Sequence, residues 1–188
     1  MDLDDGRVLH VLNLHLKSKI PTDVPGQKLN PADRFSPWRS AAGAAEGAFL
    51  STMKRVGQAL EARILVDAIF DDDEAALVAV CGDCNAESEE VTVAALRGDV
   101  EDTENGELAT RVLVACERSI AEPARFSLIH RGRGQMIDHI LASRSLVRFY
   151  RHTEVHNELL HDESMAGASD EKFPESDHAP VVAEFALS

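Results

Sequence analysis

The sequence is poor in aromatic residues, poor in cysteine and short of positive charge, and each shortage narrows what the chain can be. Aromatics fill 5% of its 188 positions, so the core has to rest on Ala, Val, Leu and Ile. Three cysteines, Cys81, Cys84 and Cys116, cannot all pair with one another. That excludes a disulfide framework and makes a reducing compartment the default. No apolar run approaches the length of a membrane span, and the start, Met1-Asp2-Leu3-Asp4-Asp5-Gly6, has no apolar signal core. Lys and Arg number 19 against 33 Asp and Glu, a formal net charge of -14. Nucleic-acid binders usually present a basic face, because neutralising phosphates releases counterions. Tight, sequence-general duplex binding by this chain alone is therefore disfavoured. The acid collects in Asp71-Asp72-Asp73-Glu74, from Asp99 to Glu107, and from Glu158 to Glu175, runs that read as solvated loops.

What remains is enough for one buried core and one domain over residues 1–188: 44% of the chain is hydrophobic. Val8 to Leu16 alternates and reads as a strand. Four prolines and Gly26 between Ser18 and Pro37 predict a long irregular loop. Ser36 before Pro37 reads as a capped helix start, followed by one amphipathic helix over roughly Trp38 to Phe70, loosened near Gly43 and Gly47. Its stripe of Phe49, Met53, Val56, Leu60, Ile64 and Ala68 is expected to face the core. Ala75 to Val80 reads as a buried strand, and a short helix is expected around Glu89 to Leu96. Leu108 to Ile120 is helical or irregular. Arg125 to His130 and Met136 to Ala142 read as strands joined by the turn Arg131-Gly132-Arg133-Gly134. Arg148 to Val155 and Ala179 to Leu187 complete the strands. Strands mixed with one long helix imply an α/β or α+β layered fold.

Four segments put polar, ionisable residues where apolar strands end or begin. They are Asn13-Leu14-His15-Leu16-Lys17-Ser18, Gly82-Asp83-Cys84-Asn85, Ile137-Asp138-His139 and Ser176-Asp177-His178. Strand ends are where a rigid sheet can aim catalytic groups into a shared cleft. Taken singly, each segment has a duller reading: a lone strand-end His is more often structural, and Gly-Asp after a strand is more often a turn. Two other motifs compete. Cys81-Gly82-Asp83-Cys84 has the spacing of a redox pair, but no thioredoxin-like βαβ surrounds it. His152, His156 and His161 suggest zinc only if the region were helical, and it reads as strand and loop.

Together and in this order, the four segments resemble the signature of the endonuclease/exonuclease/phosphatase superfamily, the group of deoxyribonuclease I. The resemblance implies an α/β sandwich of two packed β-sheets with flanking helices. It also implies divalent-metal-dependent phosphoester hydrolysis, nuclease-like rather than lipid-directed. By that resemblance Asp83 would orient or deprotonate the attacking water and Asn85 would hold the water or a phosphoryl oxygen. Asp177 would bind the metal. His178, oriented by Asp138, would stabilise the transition state, and His15 would contact the phosphate from the opposite side. The general base stays open between Asp83 and the His178–Asp138 pair. Asn13, Lys17 and Arg55 are further candidates for substrate or phosphate binding, although a solvated helix face explains Arg55 as well. Oxygen ligands favour Mg²⁺ or Mn²⁺ over zinc.

One part of the family pattern is missing. Members carry an early Asn and a metal-binding Glu on strands that precede the one ending in His15, and here only about a dozen residues come before it. The expectation is a domain lacking its N-terminal strands, weakly active or inactive alone, with an exposed sheet edge that invites homo-oligomerisation. The alternatives are a non-catalytic fragment or interaction module that keeps the fold, and a lipid or small-molecule phosphatase of the same superfamily. A phosphoester, with nucleic acid as one candidate, is the expected partner, with no membrane span. The compartment is open, cytoplasmic by default, since a signal peptide could lie in a missing N-terminal part.

Overall fold

A computed structural model describes residues 1–3, 6–33, 35–165 and 176–187. The elements are β1 (Leu9–His15), α1 (Ala41–Asp72), β2 (Leu77–Asp83), α2 (Val91–Arg97), β3 (Val114–Ala115), β4 (Leu128–His130), β5 (Arg133–Gln135), β6 (Asp138–Ala142), α3 (Arg144–Val147), β7 (Tyr150–Val155) and β8 (Val181–Phe185). Four strands form one sheet in the order β1-β2-β6-β3, while β4–β5 and β7–β8 form two-stranded sheets. β1 and β2 run parallel and are joined through α1, the crossover unit that parallel neighbours require. β6 lies antiparallel to β2.

Alternation along the strands builds a layer on each side of this sheet. Val78 and Val80 of β2 and Leu141 of β6 meet Ala59, Ala62, Val66 and Phe70 of α1 and Val93 and Leu96 of α2. Leu77 and Ala142, pointing the other way, pack with Leu146 and with Tyr150, Ala183 and Phe185 of the β7–β8 layer. The result is the expected mixed α/β sandwich, helices on one face and a second sheet on the other. No helix among the described residues is long and apolar enough to cross a membrane. The acidic runs at 71–74 and 101–107 are solvent-exposed; of the third, positions 166–175 lie outside the described residues.

Three expectations need correction. The helix starts at Ala41, with Ser40 as its cap accepting a hydrogen bond from the Gly43 N–H. Ser36 instead is buried in the preceding loop, where its Oγ accepts from the Asn30 N–H. The Phe and Met stripe does not face the core: Phe49, Met53, Leu60 and Ile64 are all exposed. The buried side begins with the small residues Gly43, Gly47 and Ser51, which let the helix approach its neighbours closely, and continues through Arg55, Ala59 and Ala62 to Val66 and Phe70. A Cβ on Gly47 would lie 2.6 Å from the Thr22 carbonyl oxygen. The third correction concerns the hairpin. β4 pairs with β5, not with Met136 to Ala142, through a two-residue turn at Arg131 and Gly132, both at positive φ. Such turns match the twist of paired strands. The chain then passes through Met136 and Ile137 into β6, which belongs to the main sheet.

Candidate active site

Register brings the first three site residues together. His15 on β1 is the partner of Asp83 on β2, and Asp83 is the partner of Asp138 on β6. Three adjacent strands thus present one ionisable side chain each in a single row. The row ends where the main chain leaves the sheet, and glycine permits that exit. Gly82 has φ 126, and a Cβ there would lie 2.0 Å from the Leu14 carbonyl oxygen, so no other residue fits.

Asn85 follows at φ 49, a left-handed conformation uncommon for a residue with a side chain. Its backbone N–H donates to Asp83 Oδ1 at 2.8 Å, and its Nδ2 donates to Asp83 Oδ2 at 2.8 Å and to the Leu16 carbonyl at 3.0 Å. One asparagine therefore locks the Asp83 carboxylate and ties β1's exit to β2's. His15, largely exposed, places Nε2 3.5 Å from Asp83 Oδ2.

From the other side comes the segment before β8. His178 Nδ1 and Asp138 Oδ2 are 2.8 Å apart, a pairing that fixes the ring and leaves Nε2 available. Ser127 supports both partners. Its Oγ accepts from the backbone N–H groups of Ile137 and Asp138, and its carbonyl accepts from the Ala179 N–H. Ser127 is fully buried. Asp83, Asp138 and His178 each offer a ligand atom within 4.8 Å of the others. Asp177 is exposed and lines the same cleft, which has a volume of about 1000 Å³.

Electrostatics follow from this crowding. Burial is the main cause raising the Asp83 carboxyl above its ordinary pKa, and the Asp138 charge adds to it, against the Asn85 hydrogen bond and the His178 and His15 rings. The hydrogen bond that His178 donates to Asp138 is the main cause that lifts His178 to about 9, with the Asp138, Asp83 and Asp177 charges also raising it and burial opposing. At neutral pH the ring is therefore largely protonated. The cysteines take no part in such chemistry. All three are free thiols, and burial pushes Cys84 and Cys116 up to about 12, which leaves them inert as nucleophiles.

The structure gathers His15, Asp83, Asn85, Asp138, Asp177 and His178 around one cleft. Asn13, Lys17 and Arg55 sit elsewhere. Asn13 lines a groove between β1 and α1. Lys17 bends its ammonium onto the carbonyl oxygens of Ser18 and Ile20. Arg55 is buried and donates to the Lys17 and Ser18 carbonyls, a strut between α1 and the loop after β1.

Other wall residues were not among the sequence candidates. Lys19, His130, Arg131, Glu163 and Ser164 line the cleft. Asp162 holds that wall in place: its carboxylate accepts from the N–H groups of Arg131, Gly132 and Ser164 and from the Ser164 hydroxyl. Those hydrogen bonds, the Ser164 hydroxyl first, hold its carboxyl down at about 2. Only the spacing of Asp162 and Ser164, an Asx-turn pattern, hinted at it.

No family model matches the sequence, and no curated protein matches it. Solved structures do. An AP endonuclease from Archaeoglobus fulgidus is similar with a TM-score of 0.51 and 15% identity, over 98% of this chain and 66% of that one. A 3′ phosphatase, NExo, from Neisseria, bound to product DNA hairpin, is similar with a TM-score of 0.47 and 17% identity, over 94% of this chain and 61% of that one. The first likeness shows the fold alone: the chain shares the mixed α/β architecture of that endonuclease. The chain spans somewhat under two thirds of the length of these structures.

Proposed function

We propose that the cleft hydrolyses phosphoesters with the help of a divalent cation, and that the substrate is a phosphodiester of the nucleic-acid type. The observation that carries this reading is the convergence of Asp83, Asp138 and His178 within 4.8 Å, with Asn85 and Asp177 on the same wall. Cleaving a phosphoester needs an oriented water, a proton acceptor, and positive charge facing the phosphoryl oxygens. The donor set fits a hard cation: carboxylate oxygens crowd the cleft, and mutual repulsion helps keep Asp83 raised until a positive charge relieves it. Asp177, the most exposed of these carboxylates, would hold Mg²⁺ or Mn²⁺, with Asp83 next in reach. When bound, the ion would supply Lewis-acid polarisation of a phosphoryl oxygen.

The chain's own groups divide the remaining work. Asp83, with both oxygens fixed by Asn85, orients the attacking water and accepts its proton. Asn85 keeps its amide oxygen for the same water. Asp138 holds His178 so that Nε2–H points charge at the phosphoryl group, and His15 stands on the far side of Asp83. Arg131 on the rim, with Lys19 once a phosphate draws it from its ion pair with Glu90 at 2.6 Å, gives an acidic protein a local place to seat phosphates.

The test is hydrolysis of bis-para-nitrophenyl phosphate in Mn²⁺ or Mg²⁺, with chelator as control. Slow, chelator-sensitive turnover that Asp83→Ala lowers by about a thousandfold is expected. Turnover that survives Asp83→Ala undiminished would defeat the reading.

A further inference from the structure

Helix α1 leaves an apolar side bare. Phe49, Met53, Leu60, Ile64 and Leu65 each keep between 53% and 61% of their surface in water. Scattered apolar residues need no explanation, but an ordered, contiguous set does. Ala45, Phe49, Met53 and Gly57 form one row at intervals of four, and Val56, Leu60, Ile64 and Ala68 form the adjacent one. Neither row contains a charge. Taken from the outside inward, 45 pairs with 68, 49 with 64, 53 with 60 and 56 with 57, so all four pairs share one midpoint between Val56 and Gly57.

That symmetry selects an occupant. An antiparallel copy of the same helix, turned about a two-fold axis through the midpoint, lays each row against the other row of its partner. Phe49 then meets Ile64, and Met53 meets Leu60. At the axis, Gly57 has nothing among the described residues within 4 Å of where a Cβ would stand, so the two backbones can approach closely. Self-complementary patches of this kind are how isologous dimers are built. We propose that this face of α1 docks a second copy of the chain. The proposal uses no residue of the cleft and does not depend on the hydrolase reading.

Charge and size set the conditions. At -14 per copy the two chains repel, so association should strengthen with salt. The same charge disfavours an anionic bilayer as the occupant. Rows at intervals of four pack with the two helices crossing at about 50°, so contact centres on residues 49 to 64 and stays small beside the about 1,000 Å² that stable interfaces bury. The dimer is therefore expected to be weak and concentration-dependent.

Sedimentation velocity on the purified chain, from about 1 to about 200 µM as suits an interface of this size, should show monomer–dimer exchange that tightens with added salt. Met53→Glu with Leu60→Glu should weaken association by about a hundredfold or more, and the thermal midpoint should stay put because both side chains are exposed. Cysteine substitution reads the register, with the native thiols as control. Gly57→Cys, at the axis, should cross-link to itself on mild oxidation; Phe49→Cys should cross-link only when mixed with Ile64→Cys. Three results would overturn the proposal. They are a chain that stays monomeric throughout, a dimer indifferent to the double variant, and Phe49→Cys cross-linking to itself as readily as Gly57→Cys.

Discussion

Asp138 and His139 are consecutive on β6, and each forms a histidine–carboxylate pair on a different side of the sheet. Asp138 meets His178 at 2.8 Å at the cleft, with side chains 18% and 29% exposed. His139 meets Glu117 at 2.5 Å in the core, with both side chains at 0%. His139 Nε2 also engages the Ala86 carbonyl at 2.8 Å, while Glu117 Oε2 has no hydrogen-bond partner among the described residues. The chemistry is the same and the burial differs, and burial decides the role. A pair that water can reach can trade its contacts for a ligand; a pair sealed in the core can only fix the strand that carries it. The core pair anchors β6 and the Ala86 turn, and so holds Asp138 and Asn85 at the cleft's height.

The sharpest way to break the comparison is to remove one partner from each pair. On the proposed reading, His178→Ala should lower turnover by about a hundred- to ten-thousandfold and shift the thermal midpoint little, a difference that parallel kinetics and melts would show. Glu117→Ala should do the opposite kind of damage. A buried histidine left unpaired costs roughly 3–5 kcal/mol, readable in urea unfolding.

A smaller effect comes from pH. For His139, burial pulls the pKa down, but the Glu117 hydrogen bond and charge, the Ala86 carbonyl and Asp138 together leave it raised. His178 is raised to about 9. A histidine whose folded pKa lies above its unfolded value of about 6.5 contributes stability that is fully present below 6.5. That contribution is lost as pH rises through the folded value. Wild-type stability should thus decline on the alkaline side. Asp138→Asn should remove the part of the decline that ends near pH 9, and a melting series against pH would read it.

Smaller again, Asp177→Ala should raise the half-saturating Mg²⁺ concentration by about tenfold with folding intact, measured by titrating activity against the metal. Smallest of all, Lys17→Ala should change turnover by no more than about twofold. Its ammonium already serves the Ser18 and Ile20 carbonyls.

The same contrast explains what the sequence disclosed. Asp83, Asn85, Asp138 and His178 were legible because each sits at a strand end inside a short motif whose spacing survives without any knowledge of packing. β1, β2 and β8 were legible for the same reason, since alternation and apolar runs are local. Glu117 was not, because it lies in a stretch without period, and its partner is 22 residues away. Ser127 was silent too: a serine that hydrogen-bonds two backbone N–H groups leaves no trace in its neighbours. The orientation of α1 was misread for a physical reason. An apolar stripe normally marks the buried side, but here glycine and serine line the first half of that side so that the helix can lie close, and Val66 and Phe70 enter the core only in the second half. Arg55, which composition assigns to the surface, is buried there because two loop carbonyls receive it.

The proposed function requires one cleft that gathers both a cation and a phosphate. Paramagnetic broadening of backbone amide signals during a Mn²⁺ titration tests that most directly. The prediction is that Asp83, Asn85, Asp138, Asp177 and His178 broaden first, well before Asp71 to Glu74 and Asp99 to Glu107. Broadening that starts in those exposed acidic runs and leaves the cleft sharp would contradict it.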